Sequence, residues 1–215
     1  RNQQTKRTPP DEAGDPSDPG QRRLGAKQWA LQRYPAELAA FFQDVIDRIE
    51  GRPSRGRITG RLVSGQLPHR SSVKIIGGTL SVLICLIGTP YARSIFRLGR
   101  WLALEDVGEA PHRIDRMIAH LQLAGILDRC GGLLLGDFHD GLDDRIEQVL
   151  TSLDRVLPRR RRMPIVVSQD FGHTWPMAPL PIGRTVHLLR GPTRTGREVQ
   201  LEVPWPKLAT RRPTR

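Results

Sequence analysis

Glu105 and His173 are the two side chains of this sequence best placed for acid–base chemistry. Glu105 ends an apolar run that begins at Trp101, and His173 follows a second run, Pro164 to Ser168, after the small turn Asp170-Phe171-Gly172. Reacting groups collect at the ends of strands in open α/β sheets, because loops there project from a rigid scaffold. An acid and an imidazole on neighbouring strand ends can work as a pair, the carboxylate holding the ring's tautomer while the ring removes a proton from a nucleophile. Spacing alone leaves the ordinary roles open: a Glu that caps the next helix, and a His solvated in a Gly-rich turn.

The other candidates rank lower. His112 and His120 fall within a helical pattern, His139 in an Asp-rich loop, His187 within a strand and His69 in an irregular segment. Asp137-Phe138-His139-Asp140 has metal-binding residue types, but no second ligand pair at helical or hairpin spacing accompanies it, so no metal site is expected. Cys85 and Cys130 lie in apolar surroundings without a CxxC or a Cys/His cluster and are read as small core hydrophobes.

The elements that must position Glu105 and His173 are legible from periodicity. Leu38, Phe41, Phe42, Val45, Ile46 and Ile49 recur at helical spacing, with Gly51 as a stop. Residues 51–73 return to Gly, Pro, Ser and Arg and read as a loop, with a short strand at Arg61-Leu62-Val63. Gly77-Gly78 opens an apolar helix that ends at Gly88, with Thr79 as its N-cap. Trp101 to Glu105, Gly132 to Gly136 and Pro164 to Ser168 are strands. Between them lie a helix from Pro111 to Gly125 and a second from Asp143 to Leu157, and this alternation predicts an α/β layer with parallel strands. Arg184 to Arg190 and Glu198 to Val203 flank a Gly-Pro turn and close the domain as a hairpin.

The net charge is +12, which raises nucleic acid and anionic membranes as partners. Of the 34 basic residues, however, the lysines are Lys6, Lys27, Lys74 and Lys207 alone, and the arginines are scattered rather than striped. The one concentration, Arg159 to Arg162, has no interleaved aromatics and reads as a solvated loop. No apolar run reaches the ~20 residues of a membrane span. Neither nucleic acid nor membrane is therefore expected as a partner, and the absence of a secretory pattern points to the cytoplasm.

Several short blocks, taken in order, resemble the LD-carboxypeptidase family of serine peptidases. They are Gly77-Gly78-Thr79-Leu80-Ser81, Leu86-Ile87-Gly88-Thr89-Pro90-Tyr91, Leu104-Glu105-Asp106-Val107-Gly108-Glu109, Arg113-Ile114-Asp115-Arg116-Met117, and Phe171-Gly172-His173 followed by Pro179-Leu180-Pro181-Ile182-Gly183. The resemblance implies a layered, swivelling-type β/α C-terminal domain over residues 74–205, preceded by a tail (1–27) and a helix with linker (28–73), and followed by a tail (206–215). It implies a Ser-Glu-His triad with Glu105 as acid and His173 as general base, with Glu109 the runner-up for the acid. Murein tetrapeptide is the implied substrate, its terminal D-alanine the product, and a homodimer the usual assembly, with no cofactor. A microcin C immunity-type peptidase and a catalytically dead remnant are the alternatives. The family's nucleophile stands in an elbow of an N-terminal Rossmann-like domain, expected to be largely missing here. None of Ser17, Ser54, Ser64, Ser71, Ser72, Ser81, Ser94, Ser152 or Ser168 occupies such an elbow, so the nucleophile is unassigned. Thr79 also departs from the family, which usually has asparagine after the paired glycines.

Overall fold

Strand β3 (Trp101–Val107) shows why this chain forms a buried sheet: its first six residues are all buried. A strand covered on both faces reads as a continuous apolar run rather than an alternation. The two faces serve different cores. Trp101 and Ala103 point into one cluster with Ile75, Leu134, Val166 and Leu188, whereas Leu102 and Leu104 join a second with Ile114, Ile118, Leu121 and Leu153 from the helices.

The computed structural model describes residues 35–49, 58–139, 144–157, 163–173, 177–191 and 196–202. Helix α1 (Pro35–Ile49) agrees with the periodic pattern and is described by itself. Then come β1 (Ile58–Ser64), β2 (Arg70–Thr79), the short helices α2 (Leu80–Leu83) and α3 (Ala92–Ile95), and β3. Helices α4 (Pro111–Leu123) and α5 (Ile126–Arg129) lead to β4 (Gly132–His139), and α6 (Ile146–Val156) leads to β5 (Ile165–Val167). Strands β6 (Thr185–Arg190) and β7 (Glu198–Glu202) follow. The strands close into a barrel in the order β1-β5-β4-β3-β2-β6-β7, with β7 pairing back on β1.

Strands β2, β3, β4 and β5 are mutually parallel, and β1, β6 and β7 complete the barrel antiparallel to their neighbours. The expected α/β alternation with parallel strands is therefore present, and the β6–β7 hairpin forms as expected. Closure was not expected. The short strand expected at Arg61-Leu62-Val63 forms, and residues 58–60, 64 and 70–73, read as loop from their Gly, Ser and Arg content, are strand as well: Ile58 and Leu62 alternate into the barrel, and β1 joins β5 to β7. The apolar helix expected from Gly77 to Gly88 is also corrected. Gly77 and Gly78 are the end of β2, and the helix is a single turn followed by a 3-10 turn at Ile84–Leu86. Gly77 has a reason to be glycine, since a Cβ there would lie 1.8 Å from the Ala103 carbonyl oxygen at a φ of +147°. Cys130 is buried as expected, but Cys85 is exposed.

One irregularity shapes the barrel mouth. Leu104 pairs with Leu135 and Asp106 with Phe138, so β4 has an extra residue where β3 has none, a β-bulge. Leu133, Leu135 and Phe138 all face the helices. The bulge thus leaves Gly136 and Asp137, two consecutive residues, on the side of the barrel mouth, where Gly136 lies against the Phe171 ring and Asp137 against Gly172.

Candidate active site

The carboxyl ends of the four parallel strands converge at one mouth of the barrel, and each brings a polar side chain. Thr79 ends β2 and is the register partner of Glu105 near the end of β3. Asp137 and His139 close β4, and the loop after β5 carries His173. Its described residues 168–173 are anchored to the strands. Ser168 N–H donates to the Leu135 carbonyl, Asp137 N–H donates to the Phe171 carbonyl, and the Phe171 ring is buried in the barrel core. Asp170 ties the loop to β1, its Oδ2 accepting from Thr59 N–H at 2.7 Å and from Thr59 Oγ1 at 2.9 Å. Gly172 lets the loop lie close across the strand ends, because a side chain there would press on Asp137 and on Glu105 Cβ at 3.0–3.2 Å.

These restraints bring Glu105 and His173 together. Glu105 Oε2 lies 2.6 Å from His173 Nδ1 across 68 residues of sequence. The carboxylate is buried, with its side chain 10% exposed, while the imidazole is 47% exposed. A carboxylate only accepts, so Nδ1 is the donor, and in the neutral ring Nε2 is then the acceptor. Among the described residues nothing bonds to that Nε2. The other carboxylate oxygen, Oε1, accepts from Thr79 Oγ1 at 2.7 Å.

A family model for the LD-carboxypeptidase C-terminal domain matches residues 72–188, a span that includes all four of these strand ends. The chain belongs to the LD-carboxypeptidase family. It is 34% identical over 120 residues to a probable murein peptide carboxypeptidase of Bacillus subtilis, covering 54% of this chain and 37% of that protein. A putative carboxypeptidase of Streptomyces coelicolor is 37% identical over 118 residues, covering 54% of this chain and 36% of its own. Among solved structures, muramoyltetrapeptide carboxypeptidase of Oxalobacter formigenes superposes with a TM-score of 0.54 at 26% identity, covering 77% of this chain and 54% of that one. The chain thus spans little more than a third of the length of these curated relatives and about half of the solved one.

For an LD-carboxypeptidase domain, the serines are as informative as the acid and the base. Among the described residues no serine hydroxyl is bonded to His173. Ser81 is held by Asp106, Ser152 by Asp115, and Ser94 by a backbone carbonyl. Ser72 does meet a histidine, at 2.9 Å from His187 Nδ1, but the pair sits on neighbouring strands β2 and β6 in mid-sheet, with no strand-turn-helix elbow around it. Ser17 and Ser54 lie outside the described residues, as do Asp140 and the Arg159–Arg162 run.

Two readings of individual residues change. Thr79 does not cap α2, for its side chain makes no cap hydrogen bond. Asp106 does that work instead, its Oδ2 accepting from Ser81 N–H at 2.7 Å. Glu109 sits ahead of α4 and pairs with Arg113 at 2.9 Å. Sequence reasoning left Asp137 without a role, yet it lies beside Glu105 and forms a second acid–imidazole pair, 2.7 Å from His139 Nδ1. Burial raises its carboxyl above the ordinary 3.8, with nearby Asp144 and Glu105 adding to the rise and His139 opposing it. The signal that could have found it was its position at the end of an apolar strand parallel to β3. Among the described residues no group of three or more His, Cys, Asp or Glu side chains is gathered to hold a metal ion, and no described helix is long and apolar enough to cross a membrane.

Proposed function

We propose that this chain supplies the acid and the general base of a serine-type LD-carboxypeptidase that releases the terminal D-alanine of murein tetrapeptide. The observation that supports it most is the 2.6 Å contact between a buried Glu105 and a half-exposed His173 whose Nε2 is unoccupied. The chemistry follows from that geometry. A serine hydroxyl brought to Nε2 would lose its proton to the ring as it attacks the scissile carbonyl, and Glu105 would stabilise the imidazolium that forms. The ring would then return the proton to the leaving amine of D-alanine. Water would hydrolyse the acyl-enzyme by the same route.

The serine is proposed to come from a Rossmann-like domain of the kind the family places ahead of this one. The 215-residue chain by itself is then inactive, because the covalent route needs the nucleophile. The test is D-alanine release from purified murein tetrapeptide. The chain alone is expected to release none, whereas the chain joined to the unmatched part of its Bacillus subtilis relative is expected to release it, and to lose that activity on His173→Ala. Release by the 215 residues alone would overturn the reading, and so would a folded fusion whose activity survives His173→Ala.

A further inference from the structure

We propose that Thr79 is a positioning residue for the base: its hydroxyl holds Glu105 in the one orientation that locks the His173 tautomer. The inference rests on the reading of Glu105 and His173 as acid and base, and it adds a third member from a third strand. Thr79 Oγ1 lies 2.7 Å from Oε1, the carboxylate oxygen that His173 does not use, so the two contacts of Glu105 are at opposite oxygens of one plane. A glutamate bound at one oxygen alone can pivot about its terminal torsion, which is broad and roughly two-fold. Bound at both, it cannot turn without losing a hydrogen bond.

The surroundings of Thr79 point the same way. Thr79 precedes the first residue of α2, where a threonine normally turns its hydroxyl to a backbone N–H of the first turn. That demand is met by Asp106, which accepts from both the N–H and the hydroxyl of Ser81. The Thr79 hydroxyl is thereby left for Glu105. Its β-branched side chain is stiff about χ1, and its backbone is held by the parallel pairing of Thr79 with Glu105 and by the close approach of Gly77 to Ala103. The line from Thr79 through Glu105 to His173 thus joins the ends of β2 and β3 to the loop after β5.

The tautomer itself is the readout, measured on the whole 15N-labelled chain without substrate. Imidazole nitrogen shifts report the ratio of Nδ1–H to Nε2–H rings at a pH where the ring is neutral, and signals lost in His173→Gln assign the residue. The wild type and Thr79→Ser are expected to hold His173 as the Nδ1–H form. Thr79→Val, which keeps the shape and removes the donor, is expected to lower that ratio about fivefold, equivalent to the ~1 kcal/mol of a typical net hydrogen bond. Thr79→Ala gives the same reading should the valine variant not fold. An unchanged ratio in a folded valine or alanine variant would overturn the proposal, as would a serine variant that behaves like valine. D-alanine release tests the function and ring nitrogens test Thr79, so either idea can fail without the other.

Discussion

Asp137 sits where water is scarce, with His139 on one side and the carboxylates of Asp144 and Glu105 on the others. Its folded form holds a proton to a higher pH than its unfolded form does, because burial penalises the charge more than His139 relieves it. As the pH rises above the ordinary carboxylate value of 3.8, the unfolded chain releases this proton first and the native state loses stability. At neutral pH that loss is fully present. The Asp137→Asn variant removes the titration, so it is expected to be at least as stable as wild type at neutral pH, with the advantage closing as the pH falls through 3.8. Thermal unfolding followed across acid and neutral buffers checks this, and a variant less stable at neutral pH would refute it. Of the residues at this mouth, Glu105 and His173 stand out in the sequence because Glu105 ends an apolar run and His173 follows another after a short turn. Asp137 and Thr79 do not, since what matters about each is a contact to Glu105 from another strand, and no local pattern encodes that.

The end of β2 shows how an element positions a side chain it does not own. Gly77 and Gly78 are both extended with φ in the region that favours glycine, at +147° and +143°, yet only Gly77 faces backbone. An alanine at 78 would meet nothing within 4 Å, so Gly78→Ala costs backbone strain alone, on the order of 1–3 kcal/mol. Gly77→Ala adds the displacement of β3 from β2, about 1–3 kcal/mol more. Chemical denaturation of the two variants should therefore rank them in that order, and equal midpoints would contradict the close-approach argument. The helix α4 was readable to within two residues of its end, because Pro111, the stripe from Ile114 to Leu121 and Gly125 state its start, face and stop in local terms. The paired glycines were misread as the mouth of a helix. Glycine marks a break in many contexts, and here the context is a carbonyl 26 residues further along the chain.

Seven strands close around Trp101, Leu134, Val166 and their neighbours, and β1 makes the closure by pairing with both β5 and β7. The partners of β1 lie more than 100 residues away, at Ile165 to Val167 and Glu198 to Leu201. Of β1 only Arg61-Leu62-Val63 reads as strand in the sequence: Ile58-Thr59-Gly60-Arg61-Leu62 has an alternating pattern, but Arg, Gly and Ser surround it. The three-strand parallel core could be read from its helices, while the ring could not, because long-range antiparallel pairing leaves only weak traces in short polar-flanked strands. A chain that lacks residues 1–64 should lose cooperative unfolding and bind a hydrophobic dye, because both neighbours of β1 would become bare edges over an opened core. A sharp thermal transition in that variant would show that the ring is dispensable.

The bulge in β4 has a consequence for how this barrel can change. Removing Gly136 would give β3 and β4 an unbroken ladder, the more orderly sheet. Leu135 and Phe138 would still face the helices, and Asp137 would take the place of Gly136, where a Cβ would lie 2.6 Å from the Phe171 ring. The most regular form of this strand thus has one mouth-facing position where the bulge supplies two. A bare backbone for the Phe171 ring and a carboxylate beside Glu105 cannot share that one position.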